Sequence, residues 1–306
     1  MTITLFENFR AVFYTPFYAS VALDAYAAEG VDVRLETSSD PETTAQALLT
    51  GDADVSWGGP MRVLDTHEQD PECGLVAFAE VVTRDPFFLI GKTPRPDFTM
   101  QSLNDVRVAT VNEVPTPWLC LQDDIRRAGM DPESLERITD RTMTENEDAL
   151  RTGSVDAIQV FQPYAEHLIR DGIGHIWYAA ANRGPCSYTA LYAKRDTLHE
   201  KSNIASAMVR AIYRTLKWLH GNPPATIAAV VADFFPDLDP NVLTACIARY
   251  LSLGAYGKTP VLPREGFERL RTACLSGGLL TRGASYEDCV DISLAHKAIE
   301  TDPPSM

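Results

Sequence analysis

The chain has 306 residues, 45% of them hydrophobic and 23% charged, which describes a globular protein rather than a disordered or fibrous one and leaves room for two α/β lobes. Its 27 Lys and Arg face 42 Asp and Glu, a net charge of −15, so phosphate backbones and anionic lipid are repelled and nucleic acid is set aside as a partner. No run approaches the roughly 18 to 20 apolar residues of a membrane helix, which sets aside membrane insertion.

Thr2 to Phe6 reads as a strand that follows Met1 directly, without a secretory signal. Phe17 to Glu29 has apolar residues at helical spacing and ends at Gly30, a good C-cap. Val31 to Glu36 alternates like a half-buried strand. Asp40-Pro41-Glu42 opens a second helix, with Asp as N-cap and Pro at the first helical position, and Gly51 closes it. Ala53 to Ser56 is the next strand, and Gly58-Gly59-Pro60 turns it into a helix. This alternation predicts a parallel sheet wound with helices on both faces. Val76 to Val82 and Phe87 to Ile90 are β-rich and read as the strands that leave the first lobe.

A second series begins with the strand Val106 to Val111 and the helix Pro117 to Ala128. It continues with the helix Glu145 to Thr152 and the strands Val155 to Phe161 and Ile176 to Ala180. Tyr188 to Lys194 reads as a returning strand, followed by a long helical region. The expected division is residues 1–90 with 187–306 as one lobe and 91–186 as the other, hinged near 88–92 and 186–192. The phrases TGDADVSWGGP (50–60) and TGSVDAIQVFQP (152–163) share Thr-Gly-x-x-Asp, then strand, then a loop with Pro. They read either as a common turn or as the same unit used once in each lobe.

These phrases, with DPFFLIGK, SLNDVRVATVNEVPTPW and RRAGMDPE, resemble the solute-binding superfamily of nitrate, sulfonate and taurine importers, which also includes thiamine-pyrimidine-precursor binders and synthases. The resemblance implies a periplasmic-binding-protein-like fold, two α/β lobes closing over a cleft. It also implies a small-molecule ligand, and an importer membrane component as partner if the chain is exported. Precursor binders carry Trp-x-Pro-Asn after the first strand, where this chain has Asn8-Phe9-Arg10-Ala11 and then Tyr14. The synthases carry a cysteine-dense run plus a lysine and a histidine, where this chain has Cys186 alone, with Gly58 and Arg62 in the other two places.

In parallel α/β lobes ligands sit at the carboxyl ends of the strands. After the first strand, Asn8, Arg10 and Tyr14 could hold an anionic group or serve as surface and core. Trp57, Gly58, Gly59 and Arg62 combine a flat wall, close backbone approach, a helix start and a cation. Arg84 stands at the mouth of the lobe-crossing strand. From the second lobe come Thr116, a helix cap, and Trp118, Phe161 and Gln162. Near the hinge, Arg183 could add a polar contact, and Cys186, Ser187 and Tyr188 are further candidates. The expected ligand is small, anionic and partly planar.

No catalytic phrase, Walker loop or dinucleotide motif occurs, and no metal or cofactor is expected. Cys186 is the one nucleophile candidate, which keeps open an enzyme on the same scaffold (a lyase, a desulfinase-like hydrolase or a pyrimidine-forming enzyme) or a cytoplasmic sensor. Six scattered cysteines, with no CxxC, suit a reducing cytoplasm. An exported chain would work in the periplasm.

Overall fold

The structure, a computed structural model, describes residues 2–38 and 43–306. The predicted helix start at Asp40-Pro41 lies outside the described residues. The first strands are β1 (Thr2–Glu7), β2 (Asp32–Thr37), β3 (Val55–Gly58), β4 (Leu75–Val82) and β5 (Phe88–Gly91). They are followed by β6 (Val108–Ala109), β7 (Arg137–Ile138), β8 (Ala157–Val160), β9 (His175–Ala179) and β10 (Thr189–Lys194).

The helices of the first half are α1 (Thr15–Ala22), α2 (Ala25–Ala28), α3 (Thr43–Thr50), α4 (Pro60–Gln69), α5 (Thr116–Arg127), α6 (Met143–Thr152) and α7 (Tyr164–Arg170). After β10 come α8 (Arg195–Glu200), α9 (Ser202–Gly221), α10 (Pro224–Val231) and α11 (Pro240–Ser252). The chain closes with α12 (Arg264–Ser276), α13 (Tyr286–Cys289) and α14 (Ser293–Thr301). Among the described residues, no helix is long and apolar enough to cross a membrane.

The strands form two five-stranded sheets, ordered β2-β1-β3-β10-β4 and β7-β6-β8-β5-β9. The two orders are the same when the second series is numbered from β6. In each sheet the first three strands of its own series are parallel, as the β-α alternation predicts. The fourth neighbour comes from elsewhere in the chain and runs antiparallel: β10 between β3 and β4, β5 between β8 and β9. The sheets are therefore mixed, because each crossing strand arrives from the opposite end.

The repeated Thr-Gly-x-x-Asp has a physical job in both places. Gly51 and Gly153 end their helices at φ +86° and +78°, a conformation a side chain would strain. Each Asp carboxylate then accepts a main-chain N–H at the neighbouring first strand. Asp54 takes Thr4 N–H at 2.9 Å and Asp156 takes Arg107 N–H at 2.9 Å. The Asp closes an open end of the ladder and sets the register of strand one against strand three.

The helix expected over Phe17 to Glu29 is broken. α1 starts at Thr15, two residues earlier, with Pro16 in its first turn, and Asp24 at φ +53° separates α1 from α2. Aspartate tolerates that left-handed geometry better than most residues.

Candidate functional site

A cavity of about 40 Å3 lies between the two sheets, at the carboxyl ends of β1, β3 and β6. After β1 come Asn8, Phe9, Phe13 and Tyr14; after β3 come Gly59, Met61 and Arg62. The second sheet contributes Val114 and Thr116, and the two crossing segments contribute Phe87 and Tyr188.

Arg62 is the one charged side chain on this wall, and among the described residues its guanidinium has neither an ion pair nor a hydrogen bond. It belongs to the first turn of α4, whose Gly59 N-cap is extended and carries no capping side chain. Pro60 brings no N–H and the Arg62 N–H bonds the Gly59 carbonyl at 2.9 Å, so this helix start contributes the positive end of its dipole rather than a row of open amides. From the other sheet α5 also starts at the cavity, so two helix N-termini approach from opposite sides. Thr116 is the first helical residue of α5 rather than its cap, because Pro115 takes that place. Its hydroxyl has no protein partner among the described residues, and neither has that of Tyr188. Burial pushes the phenols of Tyr14 and Tyr192 up, with the Arg62 charge pulling the other way, so both stay protonated donors. Asn8 is buried, and its side-chain oxygen accepts from Tyr192 Oη at 3.3 Å. Gly58 is required beside it, since a Cβ there would lie 2.3 Å from Asn8 Nδ2.

Of the sequence candidates, Asn8, Tyr14, Gly59, Arg62, Thr116 and Tyr188 meet at this cavity. The others go elsewhere. Arg10 donates from Nε to Glu7 Oε1 at 3.0 Å and lies over the Tyr18 ring, because the buried Glu7 carboxylate needs a cation. Trp57 is fully buried, stacked 4.7 Å from Phe17, and forms core instead of cavity wall. Gly58 acts through Asn8. Arg84 donates to the carbonyls of Ala181 and Leu253. Trp118 lies under the Arg137 guanidinium, 4.0 Å from it, within the second sheet's helical layer.

Gln162 is buried, donating its N–H to Tyr250 Oη and accepting from Glu166 N–H. Phe161 is a neighbour of the cavity aromatics without lining the cavity. Cys186 is fully buried with its sulfur 3.9 Å from that of Cys120, so the proposed nucleophile does not reach the cavity. Ser187 faces Glu80 behind the sheet. Arg183 is held between Asp85 and Asp124.

The missed wall residues are Phe9, Phe13, Met61, Phe87 and Val114. All lie within or beside the loops named from sequence; their apolar character resembles core, which is why residue type alone did not single them out. Among the described residues no group of three His, Cys, Asp or Glu could hold a metal ion.

The family profile described as NMT1/THI5 like matches residues 13–226. A Bacillus subtilis (strain 168) protein named "Putative binding protein YtlA" is 24% identical over 293 residues, 95% of this chain and 88% of that one. The ligand-binding component of an ABC-type import system from Staphylococcus aureus, solved with zinc bound, superposes with a TM-score of 0.75 at 15% identity, covering 97% of this chain and 99% of that chain. The periplasmic aliphatic sulphonate-binding protein SsuA from Escherichia coli gives 0.74 at 15%, covering 92% and 94%. At these identities the two solved structures speak for the fold alone.

Proposed function

From the premise that this chain belongs to the NMT1/THI5-like family, we propose that it is a substrate-binding protein that holds a small anion between its two sheets. The carrying observation is Arg62, an unpaired guanidinium on an aromatic-walled cavity in a chain of net charge −15. An acidic protein has carboxylates to spare, yet among the described residues none pairs with this arginine. A ligand carboxylate or sulfonate would fit its planar fork. The starts of α4 and α5 add dipole attraction from both lobes, so the bound anion draws the two sheets together. Thr116 and Tyr188 supply hydroxyl donors, and the phenyl rings exclude water, which strengthens each polar contact.

The substrate-binding reading is supported by the Staphylococcus aureus neighbour, a ligand-binding component of an ABC-type import system. An importer membrane component is the partner it implies for an exported chain. Catalysis at Cys186 loses its footing because that thiol lies outside the cavity.

The test is titration of the wild type and Arg62→Ala with small sulfonates, carboxylates and nitrate. A hydrogen-bonded charge contributes about 1.5 to 3 kcal/mol, so the variant should bind about 10- to 100-fold more weakly. Its melting temperature without ligand should barely move, since among the described residues the guanidinium makes neither an ion pair nor a hydrogen bond. Equal affinity in both proteins would remove the anion from this reading.

A further inference from the structure

A second cavity, of about 440 Å3, opens beside the first. Its walls come from Ala11 and Val12 after β1, from Phe161 and Tyr164 after β8, and from the turn 234–238 between α10 and α11. Phe161 is the partition between the two. Its ring centroid lies 5.3 Å from Phe13, 5.1 Å from Phe87 and 6.3 Å from Phe9, three residues of the first cavity. On its other side Tyr164, 5.9 Å away, belongs to the second. Phe9 stacks within 21° of parallel to Phe161 and is only half-buried. The Phe9–Phe161 pair thus forms the wall between the two spaces.

The chemistry of the second cavity differs from that of the first. Four of its eleven lining residues are aromatic, and aromatic rings favour flat groups in offset or edge contact. Its arginine is already committed: Arg10 pairs with Glu7 and donates to the Phe234 carbonyl at 3.0 Å. Asp237 adds a negative charge at the rim. A second anionic group would meet that carboxylate and find no free cation, whereas an uncharged ring would bury its faces.

We infer that the second cavity is a subsite for a flat, uncharged arm of the ligand whose anionic end lies at Arg62. The inference rests on the anion reading above and extends it from a charge to a shape: an elongated molecule, charged at one end and aromatic at the other.

Calorimetric titration with two probes tests this. Methanesulfonate carries the head alone, and naphthalene-2-sulfonate carries head and arm. Wild-type protein should bind the second at least about tenfold more tightly, the gain expected from burying part of an aromatic ring. Leu238→Trp fills the second cavity from the turn, away from Arg62. It should abolish that gain while methanesulfonate binds as before. Phe235→Ala, which strips a wall without adding bulk, should reduce the same gain and guards against a misfolded first variant. Equal affinities for the two probes in the wild type, or a gain that survives both substitutions, overturns the subsite and leaves the anion site standing. Failure of both probes to bind overturns the anion reading and the subsite with it.

Discussion

Arg10 and Arg62 follow neighbouring strands, and sequence gives no reason to separate them. Glu7 does. Its carboxylate is fully buried and accepts from Arg10, from Tyr18 Oη at 2.8 Å and from Thr37 Oγ1 at 2.7 Å. Arg10→Ala would leave that carboxylate with hydroxyl partners only. Because the Arg10 side chain is 40% exposed, solvent offsets part of the loss, and a cost of about 1 to 3 kcal/mol is expected. Chemical denaturation should show this destabilisation, with anion affinity little changed, the reverse of Arg62→Ala. Glu80 poses the opposite case: burial raises its carboxyl to about 8, opposed in part by the neighbouring Ser187 hydroxyl. In the unfolded chain the group ionises near 4.5, while the folded protein keeps the proton until about pH 8. The group's contribution is therefore intact below the unfolded value and is lost as pH rises through this window. Glu80→Gln cannot ionise. It should melt like the wild type near pH 5 and be more stable by pH 8 to 9, by on the order of 3 kcal/mol. A gap independent of pH would show that Glu80 is already ionised in the fold.

At the level of elements, β1, β2 and β3 were legible because alternation and helix-stopping glycines bracket them. The two-residue β6 shrinks within the expected Val106–Val111, and the two-residue β7 at Arg137–Ile138 was not read at all. A pair of residues carries no period; such strands exist only because β8 already offers a parallel edge for β6. The break at Asp24 was missed for a similar reason, since apolar spacing continues through it while the backbone does not. In the site, charge and glycine were readable as signals, but direction was not. Trp57 turns into the core against Phe17, and Phe9, Phe13 and Phe87 form the wall in its place. Gly58 shows how β3 serves the loop after β1. An added Cβ would come within 2.3 Å of Asn8 Nδ2 and 3.1 Å of Tyr192 Cε1. Gly58→Ala should therefore displace Asn8, weakening ligand binding and costing about 1 to 3 kcal/mol of stability. Gly59→Ala, whose Cβ meets nothing closer than 3.4 Å, is the control for stability alone, since Gly59 itself lines the cavity, and an equal stability loss in both would mean that Asn8 is not the reason.

For the whole molecule, the matching strand orders of the two sheets make the crossing segments the places where relative motion would concentrate. The division expected at residue 90 shifts by one strand, because β5 pairs with β8 and β9; we propose that residues 1–87 with 187–306 move against 88–186 about those segments, closing on the ligand. All six cysteines are buried and unpaired, so no crosslink limits such motion. Denatured without reductant, the protein should titrate six thiols, and four or fewer would point to disulfides and an oxidising compartment. What ties the crossings together is an ion cluster. Arg183, between β9 and β10, donates to Asp85, between β4 and β5, at 2.5 Å, and from Nε to Asp124 of α5 at 3.0 Å. The Arg183 side chain is 4% exposed and that of Asp85 0%. Burial already raises the Asp85 carboxyl, and the Arg183 charge holds it back. Removing the cation as Arg183→Met leaves two carboxylates facing each other out of water, a loss of about 3 to 5 kcal/mol at neutral pH. With the cation gone the Asp85 carboxyl rises further above its unfolded value. The variant's deficit should then be largest above pH 7 and shrink toward pH 4 as that carboxyl takes up its proton. Asp85→Asn in the Arg183→Met background removes one stranded charge and should restore part of the stability at pH 7.5. A deficit below about 1 kcal/mol that ignores pH would mean that the crossings are held by packing alone.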